Sequence, residues 1–249
     1  MNKDVILQVK GVSKSFGGVK AINHVSFDLF RGEILGIIGP NGSGKTTLIN
    51  LITGFVKADS GMIFAEGRKL TGLPPYKIAG LGVVRTFQVP RPYHSLSAMK
   101  NLVIPLYSSR IMRTTGGKLG DRDTVALDIL EEIGFERDAH VPYRHASTFP
   151  EGYLKRLELA RCLALRPHVM IMDELFSGLS VSEISSIIPI VEKLQISGMT
   201  IIMVEHRVRE LFQLAHRVMV MNFGEKIVED VPDEIIKSEI VKQAYLGVT

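Results

Sequence analysis

The 249 residues are 45% hydrophobic and 22% charged, a balance that excludes a disordered or collagen-like chain and supplies a core for one large domain or two small ones. Thirty Lys and Arg against 26 Asp and Glu leave a formal charge of +4, too small to demand an anionic partner. Uncharged stretches such as 46–56 fall short of the ~20 apolar residues of a membrane-spanning helix, the opening Met1-Asn2-Lys3-Asp4 carries no secretory pattern, and the single Cys162 excludes an internal disulfide, so a cytosolic address is expected.

In chain order, 5–12, 25–29 and 33–38 are rich in β-branched and apolar residues between turn residues and predict three strands. Over 44–53 the period changes to that of a helix, with Leu48, Ile49, Leu51 and Ile52 on one side and Gly54 as its stop. Strands are predicted at 62–65 and 83–87, with a short helix after Pro74-Pro75. Between 95 and 164 convincing strands are few, and Val125, Ala126, Ile129, Leu130 and Ile133 recur at helical spacing, so this section is predicted to be a helical insertion. The apolar runs 169–172 and 200–204, separated by a helix over 181–194, have the look of buried parallel strands. A hairpin is predicted from 218–221 and 226–229 around Gly224, and a helix over 232–246 closes the chain. Met170, Met172, Met203, Met219 and Met221 fall on these strands as packing residues.

Gly39-Pro40-Asn41-Gly42-Ser43-Gly44-Lys45-Thr46 fills the pattern G-x-x-x-x-G-K-[ST] between a predicted strand and a predicted helix. Such a loop turns successive N–H groups inward around phosphate oxygens, and the helix start adds its positive dipole end. Asn41, Gly42, Ser43, Gly44, Lys45, Thr46 and Thr47 are therefore candidate nucleotide-binding residues, with Lys45 reaching the β- and γ-phosphates and the Thr46 hydroxyl ligating Mg²⁺. The strand at 169–172 runs into Asp173-Glu174, two carboxylates at a strand's carboxyl end, where ligands gather in open α/β sheets. Asp173 is suited to hold Mg²⁺ through water, and Glu174 to polarise the water that attacks the γ-phosphate. An acid pair at a helix start would give the same letters, and the phosphate loop decides for the catalytic reading.

With further pieces in this order, the chain resembles an ATP-binding-cassette (ABC) ATPase subunit over essentially its whole length. Gln88, in Arg85-Thr86-Phe87-Gln88, looks like the Q-loop residue that senses Mg²⁺ and contacts the membrane partner. His206, in Val204-Glu205-His206, looks like the switch histidine facing the γ-phosphate, and Phe16 matches the aromatic that stacks on adenine. The resemblance implies an α/β P-loop NTPase fold of the ABC ATPase type, a mixed sheet with antiparallel β elements and an inserted helical subdomain. It implies one domain over 1–249, with a catalytic core from 1–94 and 165–249 and a helical subdomain at 95–164. It also implies ATP and Mg²⁺ as cofactors, Glu174, His206, Lys45 and Gln88 in catalysis, and Thr46, Gln88 and Asp173 at the metal. The partners implied are transmembrane permease subunits and a second ABC ATPase chain, with no nucleic acid, at the inner face of the cell membrane.

Within the superfamily the likeness points to the ATPases of branched-chain amino-acid importers. It is carried by Phe16-Gly17-Gly18-Val19-Lys20-Ala21, Arg85-Thr86-Phe87-Gln88, Arg156-Leu157-Glu158-Leu159-Ala160-Arg161 and Ala244-Tyr245-Leu246-Gly247. Lipopolysaccharide-export ATPases share much of this pattern, and a regulatory nucleotide-binding subunit is a further alternative. Cassettes of translation carry two units per chain and those of DNA repair a long coiled coil, neither of which the sequence shows. A GTPase would need an Asn-Lys-x-Asp element after a late strand, which Asn2-Lys3-Asp4 does not supply.

The signature of such cassettes, usually Leu-Ser-Gly-Gly-Gln, aligns with Phe149-Pro150-Glu151-Gly152-Tyr153. Pro150 removes a hydroxyl and an N–H. Glu151 near a γ-phosphate adds repulsion on the order of a few kcal/mol at close range. Thr148-x-x-Glu151 also fits a capping box, so Glu151 is expected to weaken the phosphate site, to cap its own helix, or both. Ser177-Gly178-Leu179-Ser180 stands where the family's D-loop ends in Asp or Asn, and Leu175 replaces the usual Pro. These departures spare the chain's own phosphate loop and acid pair and touch the half-site lent to a partner, which favours a heterodimer over a homodimer.

Overall fold

The fold is taken from a computed structural model that describes residues 4–136, 140–239 and 241. Strands β1 (Val5–Phe16) and β2 (Val19–Phe30) pair antiparallel through Gly17-Gly18, both at positive φ, as a tight hairpin turn requires. Both run longer than their apolar cores predict, because this turn keeps the polar segment Ser13-Lys14-Ser15 paired out to the tip. With β4 (Ser60–Ala65) and the two-residue β5 (Arg68–Lys69), which the sequence reading missed, they form a four-stranded sheet in the order β2-β1-β4-β5.

The second sheet has six strands in the order β10-β9-β3-β8-β7-β6. Strands β3 (Ile34–Ile38), β6 (Val83–Arg85), β7 (Val169–Asp173), β8 (Thr200–Val204) and β9 (Arg217–Asn222) are parallel, and β10 (Glu225–Asp230) closes the edge antiparallel. The central strands are buried on both faces. Ile34, Ile38, Met170, Met172, Ile201 and Met203 face one hydrophobic cluster, and Leu35, Ile37, Val169, Ile171, Ile202 and Val204 face the other. Such two-sided burial explains why these strands read as unbroken apolar runs. The predicted core methionines all lie in these clusters.

Helix α1 (Lys45–Ile52) packs Leu48, Ile49, Leu51 and Ile52 into the cluster shared with the antiparallel sheet. After α2 (Pro75–Gly80) and β6, the chain leaves the sheet for α3 (Ala98–Leu106), α4 (Ser109–Thr114), α5 (Arg122–Glu132) and α6 (Glu151–Leu163). No strand occurs among the described residues of 95–164, only one isolated bridge between Ser97 and His145. Strand β6 stops at Arg85 because the Phe87 N–H turns to the Glu158 carboxylate, 2.8 Å away. Helix α7 (Val181–Ile196) bridges β7 and β8, as predicted, while α8 (Val208–Leu214) was not anticipated. The predicted closing helix is present as α9 (Pro232–Lys237) and stops at Ser238, whose backbone is extended. Of its remainder, and of the Ala244-Tyr245-Leu246-Gly247 motif, residues 240 and 242–249 lie outside the described residues.

The expected capping box at α6 does not form. The Thr148 hydroxyl donates to the His145 carbonyl at 2.8 Å, and Pro150 is the residue that precedes the helix, with no side-chain cap. Among the described residues no helix is long and apolar enough to cross a membrane.

Candidate active site

Parallel strands deliver the chemistry to one edge of the sheet. β3 runs into the loop 39–44, the chain beyond β6 reaches Gln88, β7 ends on Asp173 before Glu174, and β8 is followed by Glu205 and His206. Asn41 to Thr47 line a cleft together with Ala21, Glu174 and His206. Gly44 turns the loop into α1 at φ 101, and a Cβ there would sit 2.5 Å from the Ala21 carbonyl oxygen, so only glycine fits. Helix α1 has neither a side-chain cap nor an acidic residue in its first turn, which leaves its N-terminal N–H groups directed at the cleft for an anion.

Lys45 is buried, and its ammonium donates to the carbonyls of Gly39 at 2.7 Å and Pro40 at 3.0 Å. Burial lowers its pKa, opposed by the nearby Glu174 and Asp173 carboxylates. Glu174 adopts a left-handed backbone, φ 51, uncommon for a residue with a side chain and a form of strain that gathers at functional sites. Its N–H is held by the Val204 carbonyl at 2.9 Å. The Gln88 amide donates to Glu174 Oε2 at 2.6 Å, and His206 Nε2 lies 3.0 Å from Oε1. The ends of β7 and β8 and the chain beyond β6 thus converge on one carboxylate beside the loop 39–44.

Residues 22–177 match the family described as ABC transporter. The chain belongs to this family. It is 35% identical over 97% of its length to a probable branched-chain amino acid transport ATP-binding protein, LivG, of Archaeoglobus fulgidus, of which 95% is covered. It is 32% identical, again over 97% of its length, to the high-affinity branched-chain amino acid transport ATP-binding protein BraF of Pseudomonas aeruginosa, 98% of which is covered. Among solved structures, the ADP conformation of MJ1267, an ATP-binding cassette of an ABC transporter, superposes with a TM-score of 0.85 at 31% identity, over 98% of this chain and 99% of that one. The protein is therefore an ABC ATPase, a domain that binds ATP.

Within this ABC cassette Asp173 lies beneath the cleft, with its carboxylate 2.7 Å from the Arg85 guanidinium and its N–H on the Thr86 hydroxyl. Arg85 also donates to Asn50 of α1 at 2.6 Å and stacks 4.7 Å from the Phe87 ring centroid. Burial pushes both partners toward their neutral forms, raising Asp173 and lowering Arg85, and their mutual attraction opposes it. The Thr46 hydroxyl, Gln88 amide oxygen and Asp173 carboxylate are hard oxygen donors, the chemistry that suits Mg²⁺ when phosphate and water complete its shell. Among the described residues no cluster of three His, Cys, Asp or Glu offers a metal site of any other kind. Phe16 stands apart at the end of β1, half exposed, with the Lys14 ammonium 5.3 Å from its ring centroid, and is not one of the residues lining the cleft.

The segment 149–153, which the resemblance reads as the signature, packs on its own chain. Glu151 lies against Gly178, where a Cβ would come 2.6 Å from Glu151 Oε1. Glu183 forms a capping box with Ser180 at the start of α7, and its carboxylate lies over Gly152, where a Cβ would come 2.7 Å from Oε1. The Ser180 hydroxyl and N–H hold that carboxylate below its usual range.

Four residues beside the site escaped the sequence reading or entered it only inside a motif: Arg85, Lys155, Glu158 and Glu205. Glu205 is 2% exposed, accepts the Phe176 N–H at 3.0 Å, and is pushed by burial to a pKa of about 8. Burial likewise pushes Glu158 to about 7, against the Phe87 N–H that favours its charged form. Lys155 and Glu158, three apart on α6, have the spacing of a solvated surface pair, and only the packing of α6 under the Q-loop reveals that both are buried.

Proposed function

We propose that this ABC ATPase powers the import of branched-chain amino acids through transmembrane permease subunits, working at the inner face of the cell membrane as one of two cassettes that close on ATP and reopen after hydrolysis. The observation that carries the reading is the Glu174 carboxylate, held between Gln88 and His206 at the mouth of the phosphate loop. In it, Asn41 to Thr47 cradle the phosphates and Lys45 exchanges its loop carbonyls for β- and γ-oxygens. Thr46, Gln88 and Asp173 would hold Mg²⁺, which would supply neutralisation of phosphate charge. Glu174 polarises the attacking water, His206 faces the γ-phosphate, and Phe16 stacks on adenine once nucleotide brings the base to the β1–β2 turn. We take 1–94 with 165–249 as the catalytic core and 95–164 as the helical subdomain. Between them an apolar cavity behind the Q-loop, walled by Phe55, Tyr76, Phe87, Arg91 and Arg161, supports permease docking there. The substrate class rests on the names of the relatives at 32–35% identity.

The signature segment favours an asymmetric pair. Pro150 has no N–H, the Glu183 carboxylate lies over Gly152, and Glu151 adds a second carboxylate, so a γ-phosphate of the partner's ATP would meet few donors and two negative charges. The partner in this reading is a paralogous cassette with a regular signature. The test is the solution mass of the Glu174→Gln protein with and without ATP and Mg²⁺, beside hydrolysis by the unmodified chain. Retained ATP binding with a monomer mass supports the heterodimer, and an ATP-dependent homodimer refutes it. Undiminished hydrolysis by Glu174→Gln would refute the catalytic assignment itself.

A further inference from the structure

Lys155, in the second turn of α6, is 1% exposed. A buried ammonium is costly unless its donors are met. Here the Nζ donates to the main-chain oxygen of Gln88 at 2.5 Å and to that of Glu174 at 3.1 Å. These are the two residues whose side chains meet at 2.6 Å over the cleft. Burial pulls the lysine pKa down, opposed by the carboxyls around it, Glu158 of its own helix, Glu151 at the helix start, Glu205 after β8 and Glu174 after β7. One cation therefore touches the backbone on both sides of the catalytic contact, and it comes from the helix whose first residues are the signature.

We propose that Lys155 is a positioning residue for ATP hydrolysis, tying α6 to the Q-loop and to the end of β7 so that the Gln88 amide and the Glu174 carboxylate stay in register. The proposal rests on the hydrolytic reading of Glu174. Lys155 lies one helical turn from Glu151, on the same side of α6. A movement of the signature end carries the ammonium with it, and the two carbonyls either follow or lose their donor. The state of the surface presented to a partner thus reaches Glu174 through a side chain that does not line the cleft. A lysine that merely stabilised the fold would lower the folded fraction and leave the turnover of each folded molecule unchanged.

The test compares Lys155→Met, which keeps an apolar stem, with Lys155→Arg, which keeps the donors, in the full chain with whatever partner cassette hydrolysis requires. Turnover and KM are read with Mg²⁺-ATP, and affinity is read separately from a fluorescent ATP analogue in EDTA. Lys155→Met is expected to lower kcat on the order of 10- to 100-fold, the scale of a small misplacement of a catalytic group, with affinity within about threefold because the phosphate loop is untouched. Lys155→Arg is expected to recover most of that loss. In a Gln88→Ala background the cost of Lys155→Met should shrink to a few-fold, since the contact it aligns is already gone. The proposal is overturned if kcat per folded molecule stays within about twofold, if affinity falls in parallel with kcat, or if the cost is equally large in the Gln88→Ala background. Should Lys155→Met not fold, Lys155→Gln is judged by the same criteria. If the unmodified chain does not hydrolyse ATP, or Glu174→Gln hydrolyses it at the unmodified rate, the hydrolytic reading fails and the tether with it. Normal Glu174 dependence with an indifferent Lys155 defeats the tether alone.

Discussion

Replacing Arg85 by Met removes the guanidinium and keeps the stem. In the structure that guanidinium pairs with Asp173 at 2.7 Å, bonds Asn50 at 2.6 Å and stacks on Phe87, and the two ion-pair side chains are 8% and 5% exposed. Removing one partner of a buried pair costs about 3–5 kcal/mol because the other charge is left uncompensated. For a chain of this size each kcal/mol moves Tm by about 2–4 °C, so a fall of roughly 6–20 °C is expected. The pH dependence has a definite sign. Burial already raises the Asp173 pKa and Arg85 opposes it, so without Arg85 the carboxyl rises further. A carboxyl whose folded pKa lies above its unfolded value favours the folded state in acid and loses that contribution as pH climbs through the folded pKa. The deficit of Arg85→Met should therefore be small in acid and grow toward neutral pH, and Asp173→Asn in the same chain should return much of it by removing the unpaired charge. Denaturant midpoints of both single variants, the double variant and the unmodified chain, at pH 4 and pH 7, measure all of this. A deficit under about 1 kcal/mol at pH 7, an equal deficit at both pH values, or a double variant no better than Arg85→Met would refute the reasoning.

Gly44→Ala should destabilise the chain by about 1–3 kcal/mol, the range for a side chain held in a left-handed backbone, and abolish nucleotide binding, because its Cβ meets the Ala21 carbonyl; a thermal melt and an ATP titration check both, and normal binding would show that the loop adjusts. Glu205 has its pKa raised from 4.5 to about 8, so its contribution to stability is full below pH 4.5 and is lost as pH rises toward 8. Glu205→Gln should flatten the stability profile in that window, and an unchanged slope in urea melts at pH 5, 6.5 and 8 would count against a neutral buried acid. Pro150→Ser combined with Glu151→Gly, in a Glu174→Gln background, should raise the fraction of ATP-dependent homodimer seen by light scattering. No gain would mean that the signature segment is not what limits pairing of two copies.

The phosphate loop, the acid pair and the parallel strands were legible because each rests on a local rule. A glycine pattern lies between a strand and a helix, and strands buried on both faces cannot hide their apolar runs. Strand β1 was read short because a polar stretch paired only by a tight turn gives no hydrophobic signal. Of the two readings open for Glu151, the capping box at Thr148 does not form, because the letters do not report the tight turn over Ala146–Thr148 that sends the hydroxyl back to His145. Arg85, Lys155, Glu158 and Glu205 act through groups 19 to 88 positions away, as in the contacts of Lys155 with Glu174 and of Arg85 with Asp173. No spacing along the chain encodes such partners, and a charged residue on a helix is otherwise a solvated one.

The segments 149–153 and 177–180, where the sequence departs from the resemblance, pack on each other. Glu151 packs on Gly178, and Glu183 joins Ser180 to Gly152, so positions 151, 152, 178, 180 and 183 form one contiguous patch between the starts of α6 and α7. Glycine at 178 leaves room for the Glu151 carboxylate, which a Cβ would strike, and serine at 180 supplies the hydroxyl that Glu183 uses. A regular signature would lack that carboxylate, and an Asp at 180 would repel Glu183. These residues therefore act as a set, and changing one position alone should do less than changing Pro150 and Glu151 together. The phosphate loop is held separately by β3, α1 and Ala21, so residues of that patch can change without disturbing it.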